Sequence, residues 1–390
     1  MTDRPAHSQK PLRVLHVISG LHLGGAETLL YHLLTRSGPN LEHEVICLGT
    51  PEWYSARIEA RGVPVHHLGM TGQNLISRLR TLRRMIRHSD ADVIQSWLYV
   101  ANVLTGICAR QSGIPVVWGI HAASIDDIRG VSRVAAVVGG RASGSLADFV
   151  INCSSRTAET HAGRGYAKIP SAVIHNGYDG SAFAPDERKR RASRKLLGVS
   201  DDTFLIGSIA RWHPHKDIPS LLDGIRAAAD QDVPLRCLLI GRDLGAHNSE
   251  LSAEIRRSRC QRLVVPLGLR ADISDLGRAL DLHVLSSRSE AFPNVVAETM
   301  LSGTPNLVTD VGDSALMVGD TGWGVAAGDS AKIGHAIVEA YREWSDDKAA
   351  WKQRRRNARK RIAERFSFDK MADAYEEVWR RVAKGQNFSA

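Results

Sequence analysis

Two glutamates with seven residues between them, Glu290 and Glu298, stand in the segment Ser289–Met300 (SEAFPNVVAETM), on either side of a Pro293–Asn294 turn. Asn294 suits the N-cap of a following helix. Glu290 is then expected in the loop and Glu298 in the first helical turn, both facing the pocket that the N–H groups of 294–297 point into. A carboxylate among such amides is poorly placed to bind phosphate. It is well placed to accept hydrogen bonds from hydroxyls, and charge-assisted bonds of that kind contribute ~1.5–3 kcal/mol each. The chemistry suits a ligand with both phosphate and hydroxyl groups, a nucleotide sugar; two solvated helix glutamates are the plain alternative.

A second group lies in Gly207–Asp217 (GSIARWHPHKD), where Arg211 and Lys216 are five residues apart. Arginine offers a planar fork and lysine a point charge, a pairing suited to gripping a diphosphate. A surface charge cluster is the alternative there. His213 and His215 are separated by Pro214 and have no third ligand nearby, so no metal is expected on them. A third group is Ser19–Gly25 (SGLHLGG), between a strand and a helix opening at Ala26. Glycines let backbone N–H groups approach a ligand, and a helix N-terminus favours an anion by ~0.3–1 kcal/mol. The spacing departs from G-x-G-x-x-G, and G-x-x-x-x-G-K-[ST] occurs nowhere, so a tight strand–helix turn is the rival reading. Asp90-Ala-Asp92 spells a D-x-D of the kind that holds a divalent cation on nucleotide sugars. It precedes the apolar run VIQSW on its amino side and reads as charge at a strand entry.

These groups need elements to hold them. LRVLHVIS (12–19), HEVICLG, PVHHLG, DVIQSW, PVVWGI, DFVINC and SAVIHNG form a series of short apolar strands up to about residue 177. Strands separated by helix-length segments imply right-handed βαβ units and a parallel sheet, and burial on both faces explains why they do not alternate. A turn-rich and then charged stretch near 178–195 reads as an interdomain linker. The series restarts with FLIGSIA (204–210), RCLLIG (236–241), LVVPLG (263–268), DLHVLSS (281–287) and TPNLVTD (304–310). Two doubly wound α/β domains follow, with ligands expected beyond the carboxyl ends of the strands, in a cleft between facing domains. The tail reads as helix from 330 to 383 with a break near 367–369. Its last part carries an apolar stripe, Phe368, Met371, Ala372, Tyr375, Val378 and Trp379, that periodicity assigns to no particular surface.

The 390 residues include 51 Lys and Arg against 42 Asp and Glu, and 43% are hydrophobic. That length allows two or three domains, and that apolar content excludes a largely disordered chain. Five scattered cysteines (Cys47, Cys108, Cys153, Cys237, Cys260) form no C-x-x-C pair. With no apolar targeting core in MTDRPAHSQKPLR and no run of ~20 apolar residues, a cytoplasmic protein, peripheral to a membrane at most, is expected.

Together these segments resemble the family-four retaining glycosyltransferases of the GT-B fold. The resemblance runs nearly end to end, through GGAE (24–27), His121 of GIHA, HNGYD (175–179), the Arg211–Lys216 segment, LGLRADI (267–273) and SEAFPNVVAETMLSGTP (289–305). It implies an acceptor-binding Rossmann-like domain over 1–177, completed by a crossing helix at 368–384, and a donor-binding domain over 178–367. It also implies roles. Glu298 would hold the ribose hydroxyls and Glu290 those of the donor sugar. Arg211 and Lys216 would neutralise the diphosphate with backbone amides of Gly24–Gly25 and of Asn294–Val295. His121 would face the sugar. Leu267, Gly268 and Arg270 would line the base, and Phe292 and Pro293 complete the donor site. The implied reaction is metal-independent, cofactor-free transfer of a hexosyl unit, with retention, from a nucleotide sugar, UDP-linked by family habit. The acceptor would be a glycan or lipid-linked hydroxyl in surface polysaccharide, O-antigen or exopolysaccharide synthesis. A nucleotide-sugar epimerase on the same fold and a non-catalytic sugar-binding relic are the rivals.

Residues 1–175 carry 18 Lys and Arg against 12 Asp and Glu, so most of the net +9 lies in the acceptor half. The segment 75–88 (LISRLRTLRRMIRH) could rest on anionic lipid through Arg78, Arg80, Arg83, Arg84 and Arg87, or be a solvated helix face. The run RRRNARKR (354–361) reads as a solvated helix and not as a nucleic-acid patch. Acceptor specificity falls to loops, above all 120–147, placed near the cleft.

Overall fold

The computed structural model describes residues 10–125 and 128–386. Residues 1–9, where the sequence lacks an apolar targeting core, and 126–127 of the 120–147 segment lie outside the described residues. The chain forms two compact units, Met1–Asn176 with Asp369–Ala390, and Gly177–Phe368.

The first unit has strands β1 (Leu12–Ile18), β2 (Leu41–Cys47), β3 (Val65–His67), β4 (Val93–Trp97), β5 (Val116–Ile120), β6 (Phe149–Asn152) and β7 (Ser171–Val173). Its helices are α1 (Gly25–Arg36), α2 (Ser55–Glu59), α3 (Leu75–His88), α4 (Tyr99–Ala109), α5 (Gly130–Leu146) and α6 (Ser155–Ala162). All seven strands pair in parallel in the order β3-β2-β1-β4-β5-β6-β7. The order runs outward from β1 to one edge, then crosses back to β4. With right-handed crossovers, α1 and α2 cover one face and α3 to α6 the other.

The second unit repeats this plan. Its strands are β8 (Phe204–Ile209), β9 (Leu235–Ile240), β10 (Val264–Gly268), β11 (Leu282–Leu285), β12 (Asn306–Thr309) and β13 (Trp323–Val325), parallel in the order β10-β9-β8-β11-β12-β13. Its helices are α7 (Glu187–Leu196), α8 (Ile218–Ala229), α9 (Ser249–Arg257), α10 (Ile273–Ala279), α11 (Asn294–Leu301), α12 (Ser314–Val318), α13 (Ser330–Asp346) and α14 (Lys348–Arg365). Every residue of the central strands β4, β5, β11 and β12 is buried, on both faces of the sheet. That burial is why their sequences are mostly apolar and do not alternate, the buried Gln95, Ser96, His283, Asn306 and Thr309 being hydrogen-bonded exceptions. The short strand β13, with one glycine among three residues, carries no such signal.

The stretch expected as a linker holds α7. Asp186 caps it, accepting from the backbone N–H of Arg188 (2.9 Å) and Lys189 (3.0 Å). The charges that suggested a solvated linker are partly structural. Arg190 and Arg194 reach Asp281 at 2.5 and 2.9 Å, and Arg194 also donates to the carbonyls of Ser200 and Thr203. Both Arg194 and Asp281 are buried.

The tail breaks twice, at Asp347 as well as near 367. Asp347 caps α14 through the N–H groups of Ala349 and Ala350 (3.1 and 2.9 Å). The basic run 354–361 is not merely solvated. Arg359 donates to the carbonyl of Leu301 at the end of α11 (2.6 Å), and Arg361 to those of Leu316 and Met317 on α12 (2.8 Å each). These arginines satisfy helix-end carbonyls that have no partner within their own helices.

The last helix, α15 (Phe368–Ala383), returns to the first unit. From Met371 onward its apolar stripe packs there, with Met371, Tyr375, Val378 and Trp379 buried: the Trp379 indole N–H donates to Gln95 Oε1 of β4 (2.9 Å), and Tyr375 stacks on Trp97 (5.8 Å between centroids). All five cysteines are buried free thiols.

Asp281 compensates two arginines at once, so its loss leaves buried charge unpaired. We expect Asp281→Ala to destabilise the protein by roughly 3–5 kcal/mol in chemical denaturation. A change under about 1 kcal/mol would show that the arginines are held by the carbonyls alone.

Candidate functional site

In the second unit β8 and β11 are neighbours whose chains continue to opposite sides of the sheet, and the loops after them carry the expected chemistry. After β8, residues 214–216 make one 3₁₀ turn and α8 begins at Ile218. The turn between them is closed by Asp217, a non-glycine residue at φ 45°, ψ 47°. Its buried carboxylate accepts from the Ser220 hydroxyl (2.8 Å) and from Arg288 Nε (2.9 Å). Those two bonds hold a left-handed backbone that costs about 1 kcal/mol or more in such a residue. They thereby fix the direction in which Lys216 leaves the chain.

Lys216 Nζ meets Glu290 Oε1, and the Ser287 hydroxyl donates to the same oxygen at 2.6 Å. The Ser286 hydroxyl donates to the Lys216 carbonyl (2.8 Å), and the Arg288 N–H to that of His215 (2.7 Å). The two loops are therefore stitched together through Ser286, Ser287 and Arg288. Arg211, just past the end of β8, is exposed and makes no ion pair among the described residues.

The Glu290 loop is braced from behind by Gly312. This residue lies at φ +58°, and a Cβ there would stand 2.2 Å from the Glu290 carbonyl oxygen and 2.6 Å from that of Ala291. Only glycine fits both the conformation and the space.

The helix that follows departs from the expectation in one respect. Pro293, and not Asn294, is the N-cap of α11; Asn294 is the first helical residue and no side-chain cap bond forms. Instead, Asn294 Oδ1 accepts from the Tyr178 hydroxyl (2.8 Å). Glu298 accordingly falls on the fifth helical residue, in the second turn. It is half-buried, and burial pushes its carboxyl up to about 7, with no side-chain partner among the described residues. The opening N–H groups of α11 have no acceptor within the helix, as at any helix start. The Phe292 ring is buried beside Tyr178 and Phe366, so its side chain belongs to the core.

At the end of β10, Gly268 takes φ +69° and packs against Gly245, while Leu267 stays half-buried. Arg270 is exposed and bound through Nε and Nη2 to both carboxylate oxygens of Asp272 (2.8 and 2.7 Å). That pairing lowers the Asp272 carboxyl and raises the guanidinium.

The remaining candidates belong to the first unit. Gly24 is the N-cap of α1 and Gly25 its first residue. A Cβ on Gly24 would lie 2.3 Å from Glu27 Oε2, so the glycine makes room for a carboxylate folded back over the helix start. Glu27 is buried, its carboxyl raised by that burial, and lies 3.3 Å from His22 Nε2. His121 follows β5. Its ring stacks on Trp97 at 5.3 Å, and Trp97 stacks in turn on Tyr375 of α15. Burial lowers the imidazole to about 4, and its buried Nε2 lacks a hydrogen-bond partner among the described residues. A neutral ring with one nitrogen unused can accept or donate one bond. Asp92 of the D-x-D accepts from the Arg13 N–H (2.8 Å) at the amino end of the sheet, and Asp90 lies 3.2 Å from the Arg13 guanidinium.

The geometry thus brings Lys216 and Glu290 into contact and sets Asn294 and Glu298 on one helix. It turns Arg270 toward Asp272. Asp217 and Tyr178 lay in segments singled out in the sequence but were given no role, and Ser286, Ser287, Arg288 and Gly312 were assigned none either.

Residues 23–181 match the family model described as Glycosyltransferase Family 4, and residues 203–343 that described as Glycosyl transferases group 1. EpsF of Bacillus subtilis is 27% identical, over 78% of this chain and 80% of its own. The lipopolysaccharide core biosynthesis mannosyltransferase LpsB of Rhizobium meliloti is 29% identical, over 61% of this chain and 66% of its own. Anabaena Alr3699/HepE, solved in complex with UDP, superposes with a TM-score of 0.80 at 22% identity, covering 95% of this chain and 100% of that one.

Two predictions follow from the local geometry. A carboxyl raised to about 7 from 4.5 favours folding most when protonated, so that contribution is present below about 4.5 and is lost as pH rises through 7. Glu298→Gln should therefore gain on the order of 2–3 kcal/mol over the native protein at pH 8 and almost nothing at pH 4.5, by denaturation at the two pH values. Gly312→Ala should displace the Glu290 loop and lower turnover at least ~10-fold while secondary structure is kept; unchanged turnover would show that the loop tolerates the shift.

Proposed function

Since the chain belongs to glycosyltransferase family 4, with the group 1 domain as its second half, we propose that it moves a sugar from a nucleotide-diphosphate sugar to a hydroxyl of a glycan or lipid-linked acceptor. The observation that carries this reading is the Lys216–Glu290 contact at the strand-order reversal of the second unit, one turn before an open helix start. A cation beside a carboxylate there matches a ligand that has a diphosphate next to sugar hydroxyls.

Departure of a diphosphate builds negative charge on its oxygens and positive charge on the anomeric carbon. Lys216 and Arg211, aimed at the diphosphate, stabilise the first, and because the turn at Asp217 is already fixed they do so without reorganisation in the transition state. The opening amides of α11 add to that field. In this scheme Glu290 exchanges Lys216 for the donor-sugar hydroxyls when the phosphate arrives. Glu298 accepts from the ribose hydroxyls, which favours its ionised form. His121, neutral and with Nε2 unused, bonds a sugar hydroxyl. Leu267 and Gly268 line the base, and Asn294 and Val295, following Pro293, present backbone N–H groups to the phosphates.

UDP is our choice of carrier, supported by the UDP in HepE. Transfer with retention and without a metal is proposed on the family's habit. Surface polysaccharide is the proposed product class, and the name of LpsB supports it.

UDP and UDP-sugars at about 100 times Kd should raise stability by ~2.7 kcal/mol in thermal-shift measurements. Lys216→Ala and Glu290→Gln should each lower sugar transfer 10²-fold or more, with UDP binding weakened chiefly by the former; full activity in both would overturn the assignment. Affinity for UDP should increase from pH 5.5 to 7.5 as Glu298 ionises, a trend that Glu298→Gln abolishes.

A further inference from the structure

Helix α5 wears its side chains inside out. Its inward face is built of Ala136, Gly139, Gly140 and Ser143, small enough to let the helix close on the Tyr166 hydroxyl and the Arg164 carbonyl. A Cβ at Gly140 would stand 2.2 Å from that carbonyl. The branched apolar residues sit on the opposite side: Val131, Val134 and Val138, spaced i, i+3 and i+7, are 73%, 64% and 43% exposed, with Val137 beside them. A surface helix normally turns its apolar stripe to the core.

The stripe is not isolated. α4 packs against both α3 and α5, so the three helices form one layer on one face of the first sheet. α4 adds the exposed Ile107, and the start of α3 the exposed Ile76. Across α3, α4 and α5 there are seven arginines, five in α3 and two in α5, and no Asp or Glu at all. Every one of those arginines is exposed, and none is ion-paired among the described residues. An apolar stripe bordered by unneutralised guanidinium groups, with no carboxylate on the three helices themselves, is complementary to an interface whose inner side is hydrocarbon and whose rim is phosphate. Valines enter such a boundary while the arginines extend to headgroup level. The absence of exposed aromatics on these helices, and the aliphatic character of the stripe, disfavour a nucleic acid.

We propose that the outer face of α3, α4 and α5, with the α5 valines at its centre, docks this protein on an anionic lipid bilayer. The contact is distinct from the donor site, and it widens the basic segment 75–88 into a surface with an apolar heart.

The experiment is co-sedimentation of the full chain with vesicles of phosphatidylglycerol and phosphatidylcholine (1:1) and with phosphatidylcholine alone. Binding should favour the anionic vesicles at least tenfold and weaken between 0.1 and 0.5 M salt, as screening requires. Val134→Asp/Val138→Asp should lose tenfold or more, and Arg78→Glu/Arg84→Glu a similar amount, with cooperative unfolding at the native Tm showing that both variants fold. Wild-type and Asp-variant binding that are equal, or no preference for anionic vesicles, would overturn the proposal. So would a dimer in ultracentrifugation that the Asp variant dissociates, which would give the face to a second copy. A UDP thermal shift on the same samples reads the donor site alone, so failure there leaves the vesicle result standing.

Discussion

Where the strand order of a parallel sheet reverses, the two crossover connections leave toward opposite faces, and a gap opens that no helix covers. Both sheets are built around such a reversal, β1 beside β4 and β8 beside β11. In the second unit everything else follows from it. The loops after β8 and β11 are the two that must meet over the gap, and Ser286, Ser287, Asp217 and Arg288 exist there as the bonds between them. The charged pair Lys216–Glu290 is the visible product of that meeting.

The strands were legible because a sheet buried on both faces favours short runs rich in apolar, β-branched residues with no polar alternation. β4, β5, β11 and β12 are apolar at most positions, and the polar residues they do hold, Gln95, Ser96, His283, Asn306 and Thr309, are buried with hydrogen-bond partners. The glutamate segment was legible for a different reason: its residue types make sense only near a ligand. Three features escaped. α7 was hidden because its charges, Arg190 and Arg194, face a single buried aspartate 80 or more residues away, a relation no local pattern contains. α5 was hidden because its inward face is glycine, alanine and serine, so the usual apolar rhythm is absent. The cap of α11 was misplaced by one residue because the Asn294 side chain had a stronger partner in Tyr178, 116 positions earlier.

The positioning of the site is likewise non-local. The turn at Asp217 looks unremarkable in sequence, yet it is held left-handed by a serine three residues on and an arginine from another loop. His121 takes its orientation from Trp97 and, behind that, from Tyr375 at the far end of the chain. Chemistry-bearing residues can be guessed from type and spacing; the residues that hold them at an angle cannot, since any polar or aromatic side chain serves if the fold delivers it.

The return of α15 has a bearing on the order in which this protein is made. A chain emerging from the ribosome offers its first 176 residues long before residues 369–383, yet the surface around Gln95, Trp97 and His16 is finished only by Tyr375 and Trp379. The amino-terminal half must therefore wait, with that apolar patch uncovered, through synthesis of the whole second unit. At 5–20 residues per second this amounts to roughly 10–40 seconds of exposure. Co-translational folding of the second unit is free of this delay, since its sheet is complete by residue 325 and its last helix by residue 365. The half that begins the chain is the last to be sealed.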